Sequence, residues 1–164
     1  EQYGPVQAGA RSVPMSSRKR VSKSPILNSA VLNEPRDYAQ RVSFSRGMRV
    51  ALGTVDLLLI SGTASVDERG ASIHPGDVTA QARRAFTNIA ALLESENADW
   101  HDVVRCTCYL ADFRDYDAFN AVRNAFFDEA GLDPFPASTC IEARICRPEL
   151  LVEIEAIALI PADR

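Results

Sequence analysis

The sequence has little that would support a membrane protein, a metalloprotein or a disulfide-rich protein. Apolar stretches such as 57–60 are far shorter than the ~18 residues that a transmembrane helix needs. Four cysteines, spaced C-x-C and C-x5-C, match neither a zinc ribbon nor a redox C-x-x-C motif, and there are only two histidines. We therefore expect a cytoplasmic protein with reduced thiols and with no membrane contact, metal or cofactor.

The composition is that of an ordinary globular domain, but its charge is unevenly distributed. The 164 residues are 46% hydrophobic and 24% charged, which fits one compact domain. Residues 1–50 hold nine Lys or Arg and three Asp or Glu, whereas residues 51–164 hold nine and nineteen. Prolines and the lack of periodicity predict a basic arm over 1–40, followed by a domain over 41–164. The arm is interpreted as a solvated segment or a contact to an acidic neighbour, and nucleic-acid binding is the less favoured alternative because aromatic residues are not interleaved.

Hydrophobic periodicity predicts an α+β fold with a mixed sheet and two helices on one face. Crossover helices joining strands in the order β-β-α-β-α-β-β would both lie on that face. The other face would then be free to associate, so we expect a homo-oligomer. The predicted elements are strands near 42–50 and 57–61, a helix over 78–94 capped by Asp77, a strand over 103–110, a helix from Tyr116 to near Gly131, and strands over 138–145 and 151–160.

The last two strands carry polar residues that are predicted to face away from the helices. In the final strand, alternation places Glu153 and Glu155 on that side. In the preceding strand it places Ser138, Cys140, Glu142 and Arg144 there. Glu153 is either a general acid or base or the partner of an arginine in an ion pair, and parity alone does not separate these alternatives. Cys140 is interpreted as a buried structural thiol rather than a nucleophile, because no histidine lies nearby in the motif.

Several short motifs lie between residues 44 and 160. They are Phe44-Ser45-Arg46, Ile60-Ser61-Gly62, Gly76-Asp77 with Gln81 and Asn88, Asp102-Val103-Val104, Tyr116 to Phe127 with Asn120, Phe135-Pro136-Ala137, and Leu151 to Ala158. Together they resemble the Rid superfamily of reactive-intermediate deaminases, also called YjgF-like and labelled endoribonuclease L-PSP. The resemblance implies a chorismate-mutase-like fold, a homotrimer whose sheets form an inner barrel, and sites for a small anionic metabolite between subunits. It also implies a metal-free hydrolase of an imine, enamine or enol-ether.

The same resemblance implies roles for individual residues. Glu153 matches the catalytic glutamate that orients water, whereas Ser138 stands where typical members have an arginine that clamps the substrate carboxylate. Arg144 lies six residues further, about 20 Å along a strand, so it does not simply replace that clamp. Arg46, near the substrate-contacting position of Phe44, is predicted to hold an anionic group instead. The resemblance further predicts that Asn120, Ser138 and Cys140 line the cleft.

A second resemblance rests on the segments Ser61 to Ser65, His74 to Asp77 and Cys146 to Glu153, together with Phe44 to Arg46. These segments resemble the C-terminal half of chorismatases, which hydrolyse the enol-ether of chorismate. The implied alternatives to imine hydrolysis are therefore chorismatase-like cleavage or, because fold does not establish activity, a non-catalytic trimer that binds a metabolite or a protein.

Overall fold

The computed structural model describes residues 20–163 and contains one mixed sheet. Its six strands lie in the order β1-β2-β3-β6-β4-β5, with β4 and β5 parallel and all other neighbours antiparallel. Helix α1 connects β3 to β4 and α2 connects β4 to β5, which confirms the predicted α+β fold. The elements are β1 Lys23–Ile26, β2 Gly47–Ala51, β3 Val55–Ala64, α1 Val78–Glu94, β4 Val103–Leu110, α2 Tyr116–Glu129, β5 Ala137–Glu142 and β6 Val152–Pro161.

The two helices pack on each other through aromatic rings. The Asp77 carboxylate accepts a hydrogen bond from the Ala80 amide at 2.9 Å, which confirms the predicted cap of α1. The fully buried Phe86 ring lies 5.1 Å from the Phe126 ring of α2 and 5.5 Å from that of Trp100. Burial of one such side chain contributes about 1.5–3 kcal/mol.

No helix within residues 20–163 is long and apolar enough to cross a membrane.

Strand β6 follows the predicted alternation. Its inward side chains are buried under the helices, whereas Glu153 and Glu155 are half-buried on the opposite face of the sheet. That face also exposes apolar side chains of β6 and of other strands, including Leu159, Leu59 and Ile141. The buried residues of β6 are Val152, Ile154, Ala156, Ala158 and Ile160.

The predicted facing of β5 is wrong, because Ser138 and Cys140 lie on the helix side. The register with β4 places Ser138 beside Cys106 and Cys140 beside Cys108, and both partners are fully buried in the core. Residues paired across neighbouring strands share a face. The prediction assumed that Ile141 points inward, but this residue is 43% exposed on the other face.

The predicted boundary between the arm and the domain is also wrong, because β1 and the residues after it pack on the domain. Strand β1 pairs with β2 along the edge of the sheet, and Ile26 and Leu32 are fully buried. The Asn28 side chain donates to the carbonyl of Ala91 at 2.8 Å. We call residues 27–46 the strap. Residues 1–19 of the predicted arm lie outside the described residues.

Candidate active site

A cavity of about 620 Å³ lies between the strap, the bulged part of β3 and the start of β6. Its lining includes the predicted residues Phe44, Arg46 and Glu153, together with Gly62 and Arg147. We call this cavity the Glu153 pocket. The strap supplies its aromatic wall and β6 supplies its carboxylate.

The carboxylate of Glu153 lies directly on the backbone of β3. At this point β3 bulges, so that Ser61 and Gly62 stand opposite the single residue Glu155 of β6. A Cβ atom added to Gly62 would lie 2.0 Å from Glu153 Oε1. A glycine is therefore needed for Glu153 to hold this position.

Glu153 and Glu155 occupy the same face of the sheet but have different partners. The Tyr109 hydroxyl donates to Glu155 Oε1 at 3.2 Å. For Glu153, no hydrogen-bond donor is found among residues 20–163. Burial raises the pKa of Glu153, and the Glu155 carboxylate raises it further. Burial, followed by the charge of Glu155, likewise raises the pKa of Tyr109. The pocket thus presents one desolvated carboxylate that is available to a ligand.

Arg46, the last residue of the strap, is held by hydrogen bonds to other residues of the strap. Its Nε and Nη2 atoms donate to the Asn33 carbonyl at 3.0 and 2.8 Å, and Nη2 also contacts the Tyr38 hydroxyl at 2.9 Å. The guanidinium lies 5.5 Å from the centre of the Phe44 ring and is 5% exposed. These contacts favour a structural role for Arg46 in fastening the strap, and its predicted role in holding an anion stays a prediction.

Two further arginines line cavities that Glu153 also lines. Arg144 and Glu153 line a neighbouring cavity of about 350 Å³. Arg147 lines the Glu153 pocket itself, but its Nη1 atom donates to the Gly70 carbonyl at 2.8 Å and to the Ser72 hydroxyl at 3.0 Å. Neither arginine forms an ion pair with Glu153 in the described part of the chain.

The remaining predicted residues gather around Arg123 of α2. Arg123 Nη2 donates to Asn120 Oδ1 at 2.6 Å, and Nη1 donates to Ser138 Oγ at 3.3 Å. Ser138 Oγ lies 3.5 Å from Cys106 Sγ. We call Arg123, Asn120, Ser138 and Cys106 the Arg123 cluster, and Cys140 lies next to it on β5. The fold therefore divides the predicted site residues between two regions.

The thiols beside Arg123 differ in acidity. The hydrogen bond between Cys106 and Cys108 lowers the pKa of Cys106, which Ser138 and the charge of Arg123 lower further. The same hydrogen bond and burial raise the pKa of Cys108. Burial also raises the pKa of Cys140. Cys106 is therefore the most acidic of these three thiols, although it is fully buried.

Three residues that contact the predicted site residues, Gly62, Tyr109 and Arg123, received no role from the sequence alone. For Arg123, the signal is its position three residues after Asn120, which places both side chains on one face of α2. For Tyr109, the signal is that it alternates with the buried Cys106 and Cys108 of β4, which places it on the other face of the sheet. For Gly62, no local pattern indicates a bulge, because the bulge arises from pairing with β6.

Comparisons with known proteins agree with this architecture. Residues 37–160 match the family model described as Endoribonuclease L-PSP. The 2-iminobutanoate/2-iminopropanoate deaminase of Escherichia coli K12 is 34% identical over 104 residues, which cover 63% of this chain and 80% of that protein. The crystal structure of the YjgF gene product of E. coli is 30% identical with a TM-score of 0.67, covering 82% and 97% of the two chains. The structure of E. coli TdcF with bound serine is 25% identical with a TM-score of 0.68, covering 84% and 98%.

Proposed function

Because the chain belongs to the endoribonuclease L-PSP family, also called the Rid or YjgF-like family, we propose that it hydrolyses a small imine or enamine metabolite in the cytoplasm. Glu153 is the catalytic residue of this proposal. The reaction needs only a water molecule and a group that moves protons, so no metal or cofactor is included. The deaminase from E. coli that the chain resembles acts, by its name, on 2-iminobutanoate and 2-iminopropanoate.

The observation that carries the proposal is the state of the Glu153 carboxylate. It is half-buried, it has no hydrogen-bond donor among residues 20–163, and it faces a cavity of about 620 Å³. A carboxylate that served only to stabilise the fold would be paired, as Glu155 is with Tyr109. The raised pKa of Glu153 makes it a stronger base than an ordinary glutamate.

The proposed reaction starts from a water molecule held by Glu153. As the water oxygen bonds to the imine carbon, Glu153 accepts a proton from the water, and the electron pair of the C=N bond moves to nitrogen. Glu153 then returns the proton to nitrogen, which gives a neutral carbinolamine. The hydroxyl proton of the carbinolamine next moves through Glu153 to nitrogen, so that the C–N bond breaks, ammonia leaves and the C=O bond forms. An enamine enters the same path after it tautomerises to the imine, with one proton gained at carbon and one lost from nitrogen. The glutamate ends in its initial state.

The proposal includes a homotrimer with the reaction site in a cleft between subunits. The face of the sheet opposite the helices exposes Leu59, Leu159 and Ile141, and association would remove these side chains from water. An anionic substrate is favoured because arginines line or flank the predicted cleft. The bound serine of TdcF supports a small molecule that carries a carboxylate.

The test is an ammonia-release assay with 2-iminobutanoate or 2-aminoacrylate generated in situ by a dehydratase. Wild-type protein is expected to accelerate ammonia release, and Glu153→Gln is expected to lose this acceleration while keeping its oligomeric state. Glu68→Gln, an exposed carboxylate in a surface turn, is the matched control and is expected to behave as wild type.

The same variants separate the alternatives. Glu153-dependent release of pyruvate from chorismate, without ammonia release from imines, would replace the proposal with chorismatase-like cleavage. Saturable binding of either substrate without product would indicate a binding protein. A Glu153→Gln variant that turns over imines as fast as wild type would contradict the role of Glu153.

A further inference from the structure

Arg123 of α2 carries a positive charge that no acidic side chain in the described part of the chain neutralises. We propose that Arg123 binds the carboxylate of the substrate, so that helix α2 rather than strand β5 supplies the guanidinium of the site. This inference rests on the proposed function for the identity of the substrate. The existence of an anion site is supported independently of that function by the geometry of the Arg123 cluster.

Two other arginines of this structure form ion pairs with carboxylates. Arg49 contacts Asp56 at 2.7 Å and Glu96 at 3.1 Å, and Arg83 pairs with Glu129 across the two helices. Arg123 contacts only neutral groups among residues 20–163. Arg46 and Arg147 do so as well, but each of them donates to a backbone carbonyl, whereas Arg123 donates only to side-chain oxygens. A half-buried guanidinium in this situation lacks a counter-charge, and an anionic ligand can provide one.

The geometry of Arg123 leaves it able to bind such a ligand. A guanidinium has five N–H donors, and the hydrogen bonds to Asn120 and Ser138 use two of them. The ring of Phe119 lies 5.4 Å from the guanidinium carbon and supports one of its faces. The remaining donors lie on the edges of the planar group, which suits bidentate binding of a carboxylate.

The surroundings of Arg123 are open on one side, and no carboxylate of residues 20–163 pairs with the guanidinium. Ser138 is exposed to solvent, so a ligand can reach its hydroxyl and the adjoining Nη1 atom. On the other side lie the half-buried Cys140 and the buried Cys106, whose pKa is lowered by Cys108, Ser138 and the charge of Arg123. The amide of Asn120 fixes the orientation of the guanidinium through the short contact to Nη2.

The direct test is calorimetric titration with 2-oxobutanoate, a stable carboxylate that is the product expected from 2-iminobutanoate. Wild-type protein is expected to bind it saturably. Arg123→Gln is expected to raise Kd about tenfold or more, because a charge-assisted bidentate contact is lost. Arg114→Gln, which removes an exposed arginine paired with Asp112, is the matched control and is expected to leave Kd unchanged.

A rescue variant distinguishes the loss of an anion site from a folding defect in Arg123→Gln. Ser138→Arg in the Arg123→Gln background supplies a new guanidinium from β5, next to the position that Arg123 occupies. It is expected to restore part of the lost affinity. Loss of affinity in Arg123→Gln, with rescue by Ser138→Arg and normal thermal unfolding, would establish an anion site rather than a structural contact.

The ammonia-release assay on the same proteins separates this inference from the proposed function. Glu153-dependent hydrolysis with an unchanged Kd and unchanged turnover in Arg123→Gln would overturn the inference and leave the proposed function in place. Arg123-dependent binding without any hydrolysis would overturn the proposed function and leave the anion site. Wild-type protein that does not bind 2-oxobutanoate at millimolar concentration would overturn the inference.

Discussion

The Glu153 pocket and the Arg123 cluster contain opposite halves of the chemistry needed to bind and hydrolyse an anionic imine. In the pocket, a desolvated carboxylate lies on a bulged strand without a hydrogen-bond donor in the described residues. In the cluster, a guanidinium contacts neutral groups and has no acidic partner there. The first region can move protons, but its arginines, Arg46 and Arg147, donate to backbone carbonyls. The second can hold an anion but lacks a base.

The difference between these regions agrees with a site that is completed by a second subunit. One lies at the strap, β3 and the start of β6, and the other lies at α2 and the edge strand β5. Within one chain, the two unpaired charges do not compensate each other. If the proposed homotrimer forms, the pocket of one protomer can meet the cluster of the next, and the substrate then bridges the two charges.

The largest expected effect separates the two regions kinetically. Glu153→Gln should lower kcat about 10²–10⁴-fold, because proton transfer in the transition state is lost. Arg123→Gln should act mainly by raising KM for a carboxylate-bearing imine, because it removes contacts that the substrate makes before reaction. Steady-state kinetics of both variants check this split. If Glu153→Gln raised KM without lowering kcat, Glu153 would act in substrate binding, as proposed for Arg123, and not in proton transfer.

The next largest effect concerns Arg46 and the wall of the pocket. Arg46→Met should lower the free energy of unfolding by about 1.5–3 kcal/mol, because charged hydrogen bonds to the strap are lost. Thermal or urea unfolding measures this change. Arg114→Gln, in an exposed pair, should change the stability by less than about 1 kcal/mol. A fully stable Arg46→Met variant with a raised Kd for 2-oxobutanoate would instead assign Arg46 to anion binding.

A smaller effect is expected when the glycine under Glu153 is replaced. Gly62→Ala places a Cβ atom where Glu153 Oε1 now lies, so the carboxylate must move. Because the end of a flexible side chain can shift, the stability should change by less than about 1 kcal/mol, while activity should fall about tenfold. Unfolding and ammonia-release measurements on one preparation check both. A loss of stability as large as the loss of activity would show that Gly62 serves the bulge itself.

The smallest expected effect is a change in pH dependence. Burial first, and then the charge of Glu155, raise the pKa of Glu153. Glu155→Gln removes the second cause, so the pKa of Glu153 should fall. Because catalysis needs ionised Glu153, the acid limb of kcat/KM should move to lower pH. An acid limb that moves to higher pH would contradict the assignment of Glu153 as the base.

Elements with strong local signals could be predicted from the sequence. Helix α1 and strand β4 have the predicted bounds, because a capping aspartate and sustained periodicity define the first and strict alternation defines the second. The alternation of β6 likewise identified Glu153 and Glu155 as residues of the non-helical face. These patterns depend on burial of one side of a single element, so they can be read without knowing its neighbours.

Features that depend on pairing between distant segments could not be predicted. Strand β5 has Ile141 on one face and Ser138 and Cys140 on the other, so only its register with β4 decides that Cys140 points inward. Strand β1 contributes one buried residue, Ile26, and contains Pro25, so it shows no periodicity. The lack of an acidic partner for Arg123 could not be predicted either, because the sequence does not show which acidic residues lie near it in the fold.

The most direct test of a site shared between subunits is complementation between two impaired variants, assayed at a substrate concentration well below the KM of Arg123→Gln. Glu153→Gln and Arg123→Gln are purified separately, unfolded, mixed in equal amounts and refolded together, and ammonia release is measured. If each site takes Glu153 from one protomer and Arg123 from its neighbour, random assembly should restore about a quarter of the wild-type activity. A refolded mixture no more active than the separate variants, beside a wild-type control that regains activity, would contradict the account.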